Sequence, residues 1–216
     1  MFKEEKLNKT IMVVKKSDLF GGNQFTGFLP RNIIDYETKV LKDYGWMTRG
    51  FAEEDSDYKQ PIAYCGVINS NSGKVYAFQR SKKDKEYVEK KLQGKWSWGI
   101  GGHVDLIDEE EENPVRASMM RELHEEAGIL EPNIKKIVAL GSINLEYNVH
   151  LVHFGILYAI ETDLEHLVGK DKEISQGSFK TINELEEMLT SPKYMVEDWS
   201  KYSLKPLKDY LLNSRQ

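Results

Sequence analysis

The sequence predicts an α/β fold in which a mixed sheet carries helices on both faces. Two observations predict this. β-rich runs at 61–69, 74–80, 134–145 and 149–160 alternate with helical patterns at 114–127, 182–189 and 196–212. The 216 residues, 40% hydrophobic, 30% charged and 11% aromatic, show no internal repeat, which argues against solenoids and propellers. A chain of this length buries a core without disulfide or metal staples.

Taken in order, Ile11–Val14 reads as a short strand and Gly21-Gly22-Asn23 as a turn. The run FTGFLP then leads to a helix over Arg31–Tyr44. The polar, acid-rich segment Glu53–Gln60 marks the join between an N-terminal extension, residues 1–57, and a main domain, residues 58–216. Pro61–Asn69 and Lys74–Arg80 flank SNSG, a hairpin signal. After a charged stretch comes the aromatic run Trp96–Ile100, then Gly101-Gly102 and the acidic loop Asp108–Glu112. Pro114 suits the first helical position and Gly128 a C-terminal stop, so a helix is expected over Pro114–Ala127. Two apolar runs, Ile134–Leu145 and Val149–Ile160, and two helices, Ile182–Leu189 and Val196–Leu212, complete the chain.

Composition narrows the function. Thirty Lys+Arg against thirty-five Asp+Glu leave a net charge of −5, which opposes nucleic-acid binding through bulk positive charge. The uncharged stretch Tyr147–Ile160 is too short to span a membrane. The lone Cys65 excludes an intrachain disulfide and a multi-cysteine zinc site. The start MFKEEKLNKT has no apolar signal-peptide core, so the cytoplasm is the expected compartment.

The segment that carries chemistry is GGHVDLIDEEEENPVRASMMRELHEEAGI, Gly101 to Ile129. On a helix over Pro114–Ala127, Arg116, Met119, Met120, Leu123 and Ala127 are expected on one packing side, and Ser118, Glu122, Glu125 and Glu126 on the other. Glu122 precedes Glu125 by three residues and Glu126 by four, so three carboxylates crowd one turn. Like charges at that spacing cost roughly 0.2–0.5 kcal/mol each, and the last turn of a helix favours cations. A divalent cation resolves both conflicts, since dense oxygen ligands suit Mg2+, with Mn2+ as the alternative. Arg121 can pair with Glu125 at i+4 and orient it.

Here the sequence resembles the Nudix hydrolase family. That family's signature is a Gly, five residues, a Glu, seven residues, then Arg-Glu, an aliphatic, any residue, Glu-Glu, any residue, Gly and an aliphatic. Arg121-Glu122-Leu123-His124-Glu125-Glu126-Ala127-Gly128-Ile129 matches its second half completely, and Gly101-Gly102 matches its start. Nineteen positions separate Gly102 from Arg121 instead of fourteen, and Asn113 stands where a Glu is expected. The acids Glu109–Glu112 are the candidate replacements. A loop lengthened in this way looks like the subgroup of MutT-like predicted phosphoesterases.

The resemblance implies a Nudix-type α/β/α sandwich with a mixed central sheet. It also implies hydrolysis of a small nucleoside diphosphate-linked molecule by water attack at phosphorus. By position, Glu122, Glu125 and Glu126 would hold Mg2+, with the Gly101 carbonyl as a further ligand and Arg121 orienting the glutamates. A base from outside the box is expected at Glu173, with Glu146 and Glu161 as rivals. Arg80 and His103 are the expected substrate contacts. Trp96 and Trp98 read as core or rim packing, Cys65 as a small buried hydrophobe, and His150 and His153 as residues on alternate faces of a strand that form no metal pair.

Two other functions stay open: a catalytically silent nucleotide-binding sensor of the same fold, suggested by Asn113, and an isomerase of the isopentenyl-diphosphate type, which needs a reactive Cys65. Two roles also stay open for residues 1–57: packing over the site, or a homodimer contact.

Overall fold

The computed structural model describes residues 3–81, 92–168 and 174–214. The elements follow in chain order: α1 (Lys3–Leu7), β1 (Thr10–Lys15), α2 (Lys16–Phe20), β2 (Gly27–Pro30), α3 (Tyr36–Asp43), β3 (Tyr44–Thr48) and α4 (Arg49–Ala52). Next come β4 (Tyr58–Asn69), β5 (Lys74–Arg80), β6 (Trp96–Ser97), α5 (Pro114–Ala127), β7 (Ile134–Asn144) and β8 (His153–Thr162). The chain closes with β9 (Ile174–Lys180), α6 (Ile182–Thr190) and α7 (Asp198–Asn213). The fold is α/β with a mixed central sheet. Its hydrogen-bonded order is β2-β7-β8-β4-β1-β3, and β5 pairs with β4, β6 and β9.

The chain forms two compact units. One comprises Met1–Tyr64, Gly101–Met119 and Gly141–Leu157, and the other Cys65–Ile100, Met120–Leu140 and Tyr158–Gln216. In the first unit, residues before 58 supply β1, β2 and β3. β1 pairs antiparallel with β3 from Thr10↔Thr48 to Val14↔Tyr44, and with β4 at Val14↔Lys59. The expected helix over Arg31–Tyr44 is shorter. Asp35 caps it, its carboxylate accepting from the Thr38 N–H at 3.2 Å, and the chain turns into β3 at Tyr44. Phe20, Phe25, Tyr36 and Phe154 pack mostly edge-to-face, with centroids 5.4–6.3 Å apart.

In the second unit, the expected hairpin closes at Asn69↔Lys74. Trp98 is buried in one core with Ile68, Val75, Ala77, Leu185, Leu204, Leu207 and Leu211, and Trp96 packs against its edge. The aromatic run Trp96–Ile100 forms a strand only at Trp96–Ser97, plus a bridge, Cys65↔Ile100. β9 follows from no strand signal named in the sequence. It pairs with β5 from Val75↔Lys180 to Arg80↔Ile174. α6 opens on a capping box formed by Thr181 and Glu184. α7 continues through Pro206, which lacks the N–H a helix needs. Buried Leu204, Leu207 and Leu211 hold that helix against the core across the lost bond.

Candidate functional site

Helix α5 carries the acidic cluster. The structure corrects the expected faces: Arg116 is exposed, whereas Ser118 and Glu126 are buried, as are Val115 and Met119. At 100° per residue, Glu122 and Glu126 continue the arc begun by Val115, Ser118 and Met119, while Glu125 projects further round. The three carboxylates therefore differ in surroundings. Glu126 is 7% exposed, whereas the side chains of Glu122 and Glu125 are 15% and 58% exposed.

Arg121 binds both of its neighbours. Its Nη1 donates to Glu122 Oε1 at 2.5 Å and lies 3.6 Å from Glu125 Oε2. One guanidinium nitrogen thus faces both carboxylates. Beside the cluster, burial pushes the Cys65 thiol well up, and the charges of Glu126 and Glu122 push it further. A thiol in that state is a poor nucleophile and a poor proton carrier.

Gly128 stops α5 as expected, at φ +68. A Cβ there would also meet the Val168 carbonyl oxygen at 2.5 Å. Gly128→Ala is therefore expected to lower stability by about 1 kcal/mol or more. In a thermal melt this reads as a drop in Tm of roughly 2–4 °C; an unchanged melt would contradict the close approach.

At its other end, α5 explains Asn113. The Asn113 Oδ1 accepts from the Arg116 N–H at 3.0 Å, and its carbonyl accepts from Ala117 at 2.9 Å. The residue standing in the place of a signature Glu is the helix N-cap. Of the acids before it, Glu109 accepts from the Trp46 indole N–H at 2.8 Å, and Glu110, Glu111 and Glu112 are exposed.

Gly101 lies against β4, where a Cβ would come within 1.9 Å of the Ala63 carbonyl oxygen, so only glycine fits. Two residues on, His103 bridges to Ile62, and its carbonyl accepts from Ser118 Oγ at 3.0 Å.

The NUDIX domain model matches residues 59–199. Protein YmaB of Bacillus subtilis (strain 168) is 31% identical over 205 residues, covering 91% of this chain and 96% of YmaB. The chain belongs to the Nudix family. The crystal structure of Tm1382, described as belonging with the Nudix hydrolases, aligns at a TM-score of 0.73 and 26% identity over 94% of this chain and 100% of Tm1382. The NUDIX hydrolase from Alicyclobacillus acidocaldarius shares the fold at a TM-score of 0.56 and 13% identity, over 69% of this chain and 90% of that one.

Set against the Nudix pattern, the remaining expected residues fall in different places. Arg80, expected at a phosphate, is a buried partner of Glu197, its Nε donating to Oε1, and its guanidinium lies 5.5 Å from the Phe78 ring centroid. Glu173 lies outside the described residues. Glu161 accepts from the Tyr210 hydroxyl at 2.5 Å, and Glu146 pairs with Lys59. His150 sits in a 3-10 turn at Asn148–Leu151, not on a strand, and β8 begins only at His153.

Two groupings in this Nudix chain have no sequence signal, because their members are far apart along it. Glu53, His103 and His153 converge, with one ligand atom from each lying within 4.8 Å of the others. Lys59 is fully buried and donates at 3.0 Å to both Glu146 Oε1 and the His150 carbonyl. Burial brings its ammonium down to about 8, although Glu146 opposes the shift. Burial alone would raise Glu146, but the hydrogen bond and charge of Lys59 hold its carboxyl below the usual range.

A pH dependence follows from Lys59. Between pH 8 and 10 the unfolded chain keeps this lysine protonated while the folded chain has released the proton, so stability rises with pH through that window. The gain is on the order of 1–2 kcal/mol from pH 8 to 9.5. Urea denaturation of wild type and Lys59→Met at both pH values should show the wild type gaining on the variant; parallel curves would contradict the shift.

Proposed function

We propose that this Nudix protein is a Mg2+-dependent hydrolase that cleaves the diphosphate of a small nucleoside diphosphate-linked molecule in the cytoplasm. The observation that carries the reading is the trio Glu122, Glu125 and Glu126 on α5, oriented by Arg121. Their donor set fits the ion: carboxylate oxygens within one helical turn suit hard Mg2+ or Mn2+. When bound, such an ion neutralises phosphate charge, orients the diphosphate and lowers the pKa of water.

The chain's own residues would divide the remaining work. Arg121 keeps Glu122 and Glu125 from turning away from their shared side of the helix. Glu126, fixed by burial, gives one rigid oxygen donor at low conformational cost. Glu125 is the exposed member, open to solvent and substrate. The isomerase alternative lacks support, since the only cysteine is buried with its thiol pushed up.

The test is a panel of nucleotide sugars, ADP-ribose, dinucleoside polyphosphates and dNTPs, incubated with purified protein with and without Mg2+. Mg2+-dependent turnover of at least one is expected. Tight binding of a panel member without turnover would favour the silent-sensor alternative instead.

A further inference from the structure

We propose that Glu53, His103 and His153 form a second divalent-metal centre, separate from the glutamates of α5 and selective for Zn2+-like ions over Mg2+. The three residues come from α4's C-terminal edge, the loop after Gly102 and the first position of β8. All belong to the same compact unit, and their ligand atoms lie within 4.8 Å of one another.

The Nε2 atoms of His103 and His153 are 3.2 Å apart. Two nitrogens on one tetrahedral ion, each at ~2.0–2.1 Å, stand ~3.3 Å from each other, so the rings already hold the spacing of shared ligands. The His153 Nδ1–H donates to the Val149 carbonyl at 2.6 Å. That bond fixes the tautomer and presents the Nε2 lone pair, which is how outer partners prepare a metal-binding histidine. On the acid, Arg49 Nε donates to Glu53 Oε1 at 3.1 Å and sets the carboxylate's angle.

A fourth group faces the same spot. Gln60 is fully buried and its Oε1 accepts from the His103 Nε2–H at 2.6 Å, a proton that a bound ion would replace. The Gln60 oxygen is then a further oxygen donor beside the two imidazoles. The scaffold is rigid: His103 is bridged to Ile62, and the Gln60 N–H donates to the Val152 carbonyl at 2.6 Å, tying β4 to the residue before His153. Imidazole with a carboxylate and an amide oxygen suits Zn2+, Co2+ or Ni2+, whereas Mg2+ favours an all-oxygen shell.

The experiment is calorimetric titration of tag-free, full-length protein with Zn2+ in millimolar Mg2+, which occupies carboxylate sites, together with Co2+ titration followed by visible absorption. One Zn2+ equivalent is expected, and Co2+ should develop the absorption of a nitrogen-ligated ion. Affinity should fall by ~100-fold in His153→Ala and by ~10-fold or more in Glu53→Gln, and be retained in Glu122→Gln. Because Glu53 is partly exposed, Glu53→Gln decides the matter even if His153→Ala fails to fold. No Zn2+ uptake by wild type, or uptake unchanged in Glu53→Gln and in any folded His153→Ala, would overturn the proposal and leave a hydrogen-bonded histidine pair.

Discussion

Glu122→Gln should reduce Mg2+-dependent diphosphate hydrolysis by at least ~100-fold, since a metal's charge stabilisation is worth several kcal/mol of barrier. The substitution keeps the side chain's size and its place on α5 but removes one of three charges that gather within a turn. It also relieves like-charge repulsion with Glu125 and Glu126, each pair worth a few tenths of a kcal/mol. The metal-free variant should therefore melt at or slightly above the wild-type temperature while losing activity. That opposite pair of changes separates a ligand from a structural acid, because a structural role for the Glu122–Arg121 hydrogen bond predicts loss of both. Steady-state kinetics over a Mg2+ series, with a melt on the same samples, makes the comparison.

Glu197→Ala should destabilise the fold by up to roughly 3–5 kcal/mol, because it breaks a buried ion pair by removing one member. Both members of the pair are buried, the Arg80 side chain 10% exposed and that of Glu197 7%. In a chain of this size the change lowers Tm by roughly 10 °C. The double variant Arg80→Met/Glu197→Leu should recover most of the loss, because two apolar side chains of similar volume remove both desolvation penalties. If Arg80 instead spent its charge on substrate phosphate, Glu197→Ala would leave the denaturation midpoint nearly unchanged and shift KM.

The legible part of the molecule was its local part. Pro114 and Gly128 bracketed α5 correctly because both act through backbone geometry within one or two residues. The SNSG hairpin was legible for the same reason. Spacing alone also grouped Glu122, Glu125 and Glu126, since i+3 and i+4 neighbours meet on any helix. What stayed hidden depends on contacts across long stretches of chain. Arg80 read as an anion contact because its partner Glu197 lies 117 residues away. Asn113 read as a departure from a signature, although its role as helix cap is a local rule that the comparison with a pattern obscured. The burial of Ser118 and Glu126 could not be inferred from an apolar stripe, because their side of α5 mixes polar with apolar residues. Glu53, His103 and His153 sit in three separate elements, and no spacing joins them.

On the proposed function, the α5 carboxylates bind a divalent ion where a diphosphate can meet it. Mn2+ titration by calorimetry in the presence of a non-hydrolysable nucleoside diphosphate analogue tests it most directly. Wild-type protein should take up Mn2+ at or below millimolar concentration, and Glu122→Gln and Glu126→Gln should each lose that binding while staying folded. Mn2+ uptake that is absent in the wild type, or identical in all three proteins, would contradict the account.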